Sequence, residues 1–374
     1  MRTRSVTELV DLYGMRVFVR TCLDIPIEDG VAQDHFRVQR ALPTIQYLIE
    51  RGARVILATH LGRKPETTTS VLVPLLQKYV PVTHCPSVVG EVAFGAVAHM
   101  KEGSVLLLEN LRSHEGEIAC DEMFAKTLAS YADFYVNDAF AVSHRAHASI
   151  VGVPKYLPRF AGITFLEEYD ALSKSFTPEH PSLFIIGGAK FETKEPLIED
   201  FSNLFSNTFI GGALANDFLR ARGLEVGKSL LCGCDISPTL AKHERLILPE
   251  EVVVTTDGVW REARAHEVLA HEAIVDVGMQ SIERLAPYIK RAKFIVWNGP
   301  LGNYEAGYDI ATKACGRLVA ESDAFSVVGG GDTVASIESL KLQDSFGFLS
   351  TAGGAMLDFL EHRTLPGIEA LVKA

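Results

Sequence analysis

The chain has 374 residues, 47% hydrophobic and 22% charged, the balance of an ordinary soluble globular protein with length for two cores. Its 36 basic and 47 acidic side chains give a net charge of −11, which argues against sequence-independent binding to a nucleic-acid backbone. No apolar run reaches the roughly 18 residues of a membrane span, and the N-terminal stretch lacks the apolar core of a signal peptide, so neither a membrane nor a nucleic-acid partner is expected.

Taken in chain order, short apolar runs occur at Arg16–Arg20, Arg54–Ala58, Ser104–Leu108 and Phe134–Val136, then at Leu183–Ile186, Asn207–Ile210, Glu251–Val254, Phe294–Trp297 and Phe325–Val328. Continuous apolar character indicates burial on both faces, so the nine runs are expected to be parallel strands. The segments between them, such as 40–51 and 281–291, carry helical spacing, and the alternation argues for an α/β fold. Residues 165–175 have the composition of a polar-rich helix, which Thr177-Pro-Glu-His-Pro181 cannot continue, because proline lacks a donor and biases its predecessor to extended geometry. The break separates an almost neutral half (18 basic, 20 acidic side chains over residues 1–176) from an acidic one (18 and 27). In the neutral half Arg20, Arg37, His60, Arg63, Arg112, His144 and Arg145 follow strands, where open α/β sheets bind ligands and where guanidinium groups suit a small anion.

Several motifs fail on spacing. Gly223-Leu-Glu-Val-Gly227-Lys228-Ser229 is one residue short of a P-loop. His266 and His271 stand five apart, roughly 140° around a helix, and cannot share a zinc ion. No GxGxxG follows the first strand, so a dinucleotide site has no support. The six cysteines are scattered without a CxxC pair and are expected to be reduced thiols in a cytoplasmic protein, Cys232 and Cys234 included.

Other segments stand together. Thr59-His-Leu-Gly-Arg63, Leu108-Glu-Asn-Leu-Arg112 and Val136-Asn-Asp-Ala-Phe140 running into Ser143-His-Arg-Ala-His147 each follow a strand. So do Gly187-Gly-Ala-Lys190-Phe-Glu-Thr-Lys194, Val296-Trp-Asn-Gly-Pro-Leu-Gly302 with Glu305, and Val328-Gly-Gly-Gly-Asp332-Thr333. In this order the sequence resembles the phosphoglycerate kinase family from about Arg16 to Gly367. The resemblance implies two lobes, each a parallel-sheet, Rossmann-like three-layer domain, joined by a helix and hinge: residues 1–164 for the triose, 165–181 connecting, 182–348 for the nucleotide, and 349–374 returning to the first lobe. It implies reversible phosphoryl transfer between 1,3-bisphosphoglycerate and ADP, giving 3-phosphoglycerate and ATP, by a monomer that uses Mg2+ with the nucleotide.

The same resemblance implies a triose site of Cys22, Asp24, Arg37, His60, Leu61, Gly62, Arg63, Arg112, His144 and Arg145. It implies catalytic roles for Arg37, Lys190 and Lys194, with Lys194 also on nucleotide phosphate. The nucleotide site would take Asn298, Glu305, Gly329, Gly330, Gly331, Asp332 and Thr333, with Asp332 the magnesium contact. The chemistry fits, since a phosphoryl group in transfer needs positioning and charge neutralisation above all. The end of the first strand departs from the family pattern at two residues, and smaller departures stand at Ala141-Val142, Glu192-Thr193, Ala213 and Ala352. Cys22 stands where an aspartate is usual, and Asp24 where an asparagine is usual, so triose recognition is expected to weaken unless Asp24 takes over. A kinase for another small carboxylate, or a nucleotide-binding relative with little turnover, are the competing readings.

Overall fold

In the computed structural model, residues 3–33, 35–62, 66–189, 195–233 and 236–372 are described. Arg63, Lys190, Lys194 and Cys234 therefore lie outside the described residues. The chain divides into two compact units, Met1–Asp170 with His362–Ala374, and Ala171–Glu361. The division falls within the helix Ile163–Ser173, and of the expected returning segment 349–374 only the part from His362 groups with the first unit.

The first unit holds a parallel sheet of β1 (Arg16–Thr21), β2 (Arg54–Ala58), β3 (Val82–His84), β4 (Val105–Leu107), β5 (Phe134–Asp138) and β6 (Arg159–Ala161), in the order β3-β4-β2-β1-β5-β6. The central strands are buried almost throughout, which is why they are written in unbroken Val, Ile, Leu and Phe. The helix His35–Glu50 crosses from β1 to β2 and packs Val38, Ile45 and Leu48 into the core with Val17, Val55 and Leu107. Register pairs Arg20 with Ala58 and with Asn137, so the loops that follow β1, β2 and β5 leave the sheet at one level.

The second unit holds a parallel sheet of β7 (Ser182–Ile186), β8 (Asn207–Ile210), β9 (Leu246–Ile247), β13 (Phe294–Asn298), β14 (Phe325–Gly329) and β15 (Phe348–Leu349), in the order β9-β8-β7-β13-β14-β15. Between β9 and β13 lies a separate antiparallel sheet of β10 (Glu251–Thr256), β11 (Val259–Arg264) and β12 (Ala273–Val277). This corrects one expectation, because the run at Glu251 is not a parallel strand. Its burial alternates rather than being continuous, and it turns back through Asp257 and Gly258, both at positive φ (50° and 83°), the geometry of a two-residue hairpin. The apparent P-loop is likewise architectural. Gly227 bridges to Ala273, and a Cβ there would sit 2.1 Å from the Glu272 carbonyl. Among the described residues no helix is long and apolar enough to cross a membrane.

Two glycines test the packing in opposite directions. A Cβ on Gly162 would meet the buried Asp138 carboxylate at 2.1 Å, whereas one on Gly95, inside the helix Glu91–Ala98, meets nothing within 4 Å. Gly162→Ala is expected to lower unfolding free energy by about 1–3 kcal/mol, and Gly95→Ala to raise it by about 0.5–1 kcal/mol. Urea titration of both variants checks this.

Candidate functional site

In the first unit the cationic and polar residues gather beyond the carboxyl ends of β1, β2, β4 and β5. Arg20, the penultimate residue of β1, is only 1% exposed. Its Nε donates to Ser149 Oγ (2.9 Å), one terminal nitrogen donates to the Thr21 carbonyl, and the other lies 3.2 Å from His60 Nδ1. Ser149 is in turn held by the fully buried Glu117, which accepts from its amide (2.9 Å) and its hydroxyl (2.6 Å). On the other side His60 Nε2 lies 3.3 Å from Asp24 Oδ2, while Asp24 Oδ1 accepts from the Gly62 amide at 2.7 Å. Arg37 donates to the Asp24 carbonyl, and Arg112 donates to the Gly62 carbonyl at 2.6 Å. Arg145 donates to His144 Nε2 at 3.1 Å.

The electrostatics are those of a site short of negative charge. Burial, opposed by the Asp24 hydrogen bond but reinforced by Arg20 and Arg112, brings His60 down to about 4. Burial with Arg20, Arg145 and Arg112 brings His147 down to about 4 as well. The Arg112 guanidinium is pushed below its ordinary value by burial and then by Arg145. Burial works to raise Asp24, but its hydrogen bond and charge interaction with His60, the Gly62 amide and Arg37 prevail and hold the carboxyl well below the usual range. Both imidazoles are therefore neutral at pH 7, and the guanidiniums form the positive field.

The expected triose residues separate by role. Asp24, Arg37, His60, Gly62 and Arg112 are linked by the contacts above, and Arg145 is coupled electrostatically to Arg112. Leu61 sends its side chain into the core, and its backbone N–H and C=O are both bonded to Asn110. Cys22 packs against the small apolar group of Ala139, Val142 and Ile150. Sequence reading named Arg20 only as one of several strand-end arginines and did not name Ser149 or Glu117. Glu117 and Ser149 carry no motif of their own, and a glutamate directly after His114-Glu-Gly116 gives no sign that it will be buried.

In the second unit a cavity of about 570 Å³ opens at the carboxyl ends of β7, β8 and β13 and reaches the loop after β14. Asn298, Glu305, Gly330, Gly331 and Asp332 line it, with Gly187, Gly212 and Ala213 opposite. The strand ends interlock closely, for Gly188 N donates to the Pro300 carbonyl at 2.9 Å, and a Cβ on Gly187 would sit 2.2 Å from that oxygen. Gly330 caps the helix Gly331–Ser339 at φ +99°, so that helix directs its first N–H groups from a glycine turn, with Asp332 in its first turn. Gly329 ends β14 against Met356 and is not part of the cavity lining. Thr333 is fully buried, and its hydroxyl has no partner.

Asp276 also lines the cavity and was not foreseen. It sits at the end of β12, where Oδ1 accepts from Val277 N (2.9 Å) and Oδ2 from Ala311 N (3.3 Å), so it caps the helix Ile310–Ala320 from a distance in sequence. Burial pushes its carboxyl up to about 7, with Asp309 adding to the rise against these amides. Among the described residues no group of three His, Cys, Asp or Glu could hold a metal alone. Asp332 offers a hard oxygen donor on the cavity wall, which fits a Mg2+ ion carried mainly by nucleotide phosphates.

The raised Asp276 value has a definite sign. Its folded value exceeds the ordinary 3.8, so its contribution to stability is present below about pH 4 and is lost as pH rises through about 7. Asp276→Asn is expected to gain stability relative to the parent between about pH 5 and pH 8. Urea unfolding of both proteins at the two pH values measures the difference.

The model of the family described as phosphoglycerate kinase matches residues 6–363. The phosphoglycerate kinase of Rhizobium leguminosarum bv. trifolii is 39% identical over 395 aligned positions, covering 98% of each chain. That of Sinorhizobium medicae is 40% identical over 397, covering 99% of each. Among solved structures, the phosphoglycerate kinase of Coxiella burnetii superposes with a TM-score of 0.83 at 34% identity, over 99% of both chains. The Pyrococcus horikoshii enzyme gives 0.88 at 31%, over 98% of both.

Proposed function

This chain belongs to the phosphoglycerate kinase family, and on that premise we propose that its first unit binds the triose and its second the nucleotide. The enzyme is a phosphotransferase with a carboxyl group as acceptor, acting in glycolysis: it exchanges a phosphoryl group between 1,3-bisphosphoglycerate and ADP. The observation that carries the division of labour is the contrast between the two strand-end sites. One is a polar shelf of arginines with neutral imidazoles, and the other is a glycine-walled cavity large enough for a nucleotide.

Each residue then has a task that its chemistry supports. Arg112 and Arg145, with Arg63, neutralise the triose phosphate, and Arg37 faces the reacting carboxyl group, since planar guanidiniums match both anions. In the cavity Glu305 receives ribose hydroxyls, and Asn298 contributes to the nucleotide-side wall. Gly330 and Gly331 offer N–H donors to phosphate, and Thr333 is buried behind Asp332 with its hydroxyl unpartnered. When bound, Mg2+ supplies charge neutralisation on the nucleotide phosphates, and Asp332 is the side chain that would hold it. Lys190 and Lys194 add positive charge at the moving group. The free thiols of Cys22, Cys85, Cys120, Cys232 and Cys315 support a reducing, cytoplasmic setting, and drawing every proposed site residue from one chain is in keeping with a monomer.

A coupled assay with 3-phosphoglycerate and Mg-ATP tests the reading, run beside other small carboxylates. Turnover with 3-phosphoglycerate alone among them is expected, and turnover confined to another carboxylate would overturn it. Lys194→Ala is expected to lower kcat by about 10²–10³-fold at saturating substrates, with little change in ATP binding. An unchanged kcat would remove Lys194 from the mechanism.

A further inference from the structure

An arginine in a protein donates and never accepts, so the contacts of Arg20 fix the direction of every hydrogen bond joined to it. Its Nε–H is given to Ser149 Oγ, so the Ser149 hydroxyl must turn its own hydrogen elsewhere, and Glu117 Oε1 at 2.6 Å receives it. The Ser149 amide is given to the other Glu117 oxygen at 2.9 Å. On the far side of the guanidinium, the terminal nitrogen 3.2 Å from His60 Nδ1 can only donate, so Nδ1 must present a lone pair. A neutral ring then carries its hydrogen on Nε2, and that nitrogen faces Asp24 Oδ2 at 3.3 Å. Asp24 Oδ1 is filled by the Gly62 amide, which leaves Oδ2 to accept. The chain from Glu117 to Asp24 thus has one consistent direction.

We propose that Glu117, acting through Ser149 and Arg20, is a positioning residue that holds His60 as the neutral Nε2–H tautomer, so that the ring keeps a fixed N–H donor aimed at the Asp24 edge of the site. Glu117 is 0% and Arg20 1% exposed, and His60 is 3% exposed, so solvent does not compete for these bonds. The groups that act on the ring come from every neighbouring strand end: Arg20 and Asp24 from β1 and its loop, Arg112 from the loop after β4, and His147 from the loop after β5. Arg20 and Arg112, together with burial, disfavour a second proton on the ring, and the fall of His60 to about 4 agrees. A neutral ring of fixed orientation holds the Asp24 carboxylate in place, whereas an imidazolium would attract any anion without regard to its shape. The consequence for catalysis rests on the assignment of this shelf to the triose. The tautomer does not.

The test uses the full chain with 15N-labelled histidine and long-range 1H–15N spectra, His60 being assigned by its loss in His60→Gln. In the parent, His60 is expected to show an unprotonated Nδ1 and a protonated Nε2 at pH 7, persisting to about pH 5. Ser149→Ala keeps Glu117 and Arg20 but breaks the link between them. In it, and in Glu117→Gln, the ring is expected to populate both tautomers and to titrate closer to the ordinary 6.5. KM for 3-phosphoglycerate is expected to rise about tenfold while KM for ATP changes less than about twofold. A parent ring protonated on Nδ1 would overturn the proposal. So would folded variants that keep the parent tautomer and midpoint, which would leave Glu117 a purely structural carboxylate. If Glu117→Gln does not fold, Ser149→Ala alone decides. Spectra as expected in a protein that does not use 3-phosphoglycerate would leave the positioning intact and refute the triose assignment.

Discussion

A buried guanidinium must find an acceptor for each of its N–H directions, and the first unit is arranged around that demand. Arg20 stands at the end of the central strand, one residue from the last ladder pair, where an apolar residue would have been the simpler choice. Desolvating that charge is costly unless it is hydrogen-bonded and matched by opposite charge. Ser149, the Thr21 carbonyl and His60 provide the acceptors, and Glu117 the charge. These residues come from β1, from the loop after β2, from the turn after β4 and from the segment after β5. Satisfying one arginine therefore fixes four strand-end loops relative to one another. The anion-binding shelf is the outer surface of that arrangement.

The second unit meets a different constraint with backbone alone. Four strands of its sheet end level, and the loops after β7, β8 and β13 cross within hydrogen-bonding distance of one another. At Gly187 and Gly212 any side chain would collide with the backbone of a neighbouring loop. Glycine there allows the loops to pass and leaves the cavity wall as exposed peptide, which suits a ligand recognised by shape and by N–H groups. Electrostatics differ accordingly: arginine clamps in one unit, and glycine turns with the carboxylates Asp276, Glu305 and Asp332 in the other.

Most of the fold was legible because apolar runs and burial coincide, as at Arg54–Ala58 and Phe294–Asn298, where nearly every residue is buried. The run at Glu251 misled because three consecutive valines look doubly buried, while the middle one, Val253, faces outward from a small antiparallel sheet. Short strands such as Val82–His84 and Arg159–Ala161 left too little pattern to detect. Site residues within motifs, His60, Arg112, Asn298 and Asp332, could be found from their neighbours in sequence. Ser149, Glu117 and Asp276 could not, because their significance lies in what packs on them: residues 129, 32 and 35 positions away along the chain.

The two departures at the end of β1 have separate physical explanations. Cys22 lies against Ala139, Val142 and Ile150, a surface that a thiol covers well and a carboxylate would not. Asp24 brings a negative charge to the edge of a shelf built for an anion. Its oxygens are already committed, one to the Gly62 amide and one to the His60 ring, and its backbone carbonyl receives Arg37. A carboxylate so placed presents less bare negative charge to the shelf than its formula suggests, and it gives the His60 N–H a partner that an amide oxygen would bind less strongly. The exchange at 22 and 24 therefore shifts one negative charge two residues along the strand end, away from the apolar pocket and onto the donors that can hold it.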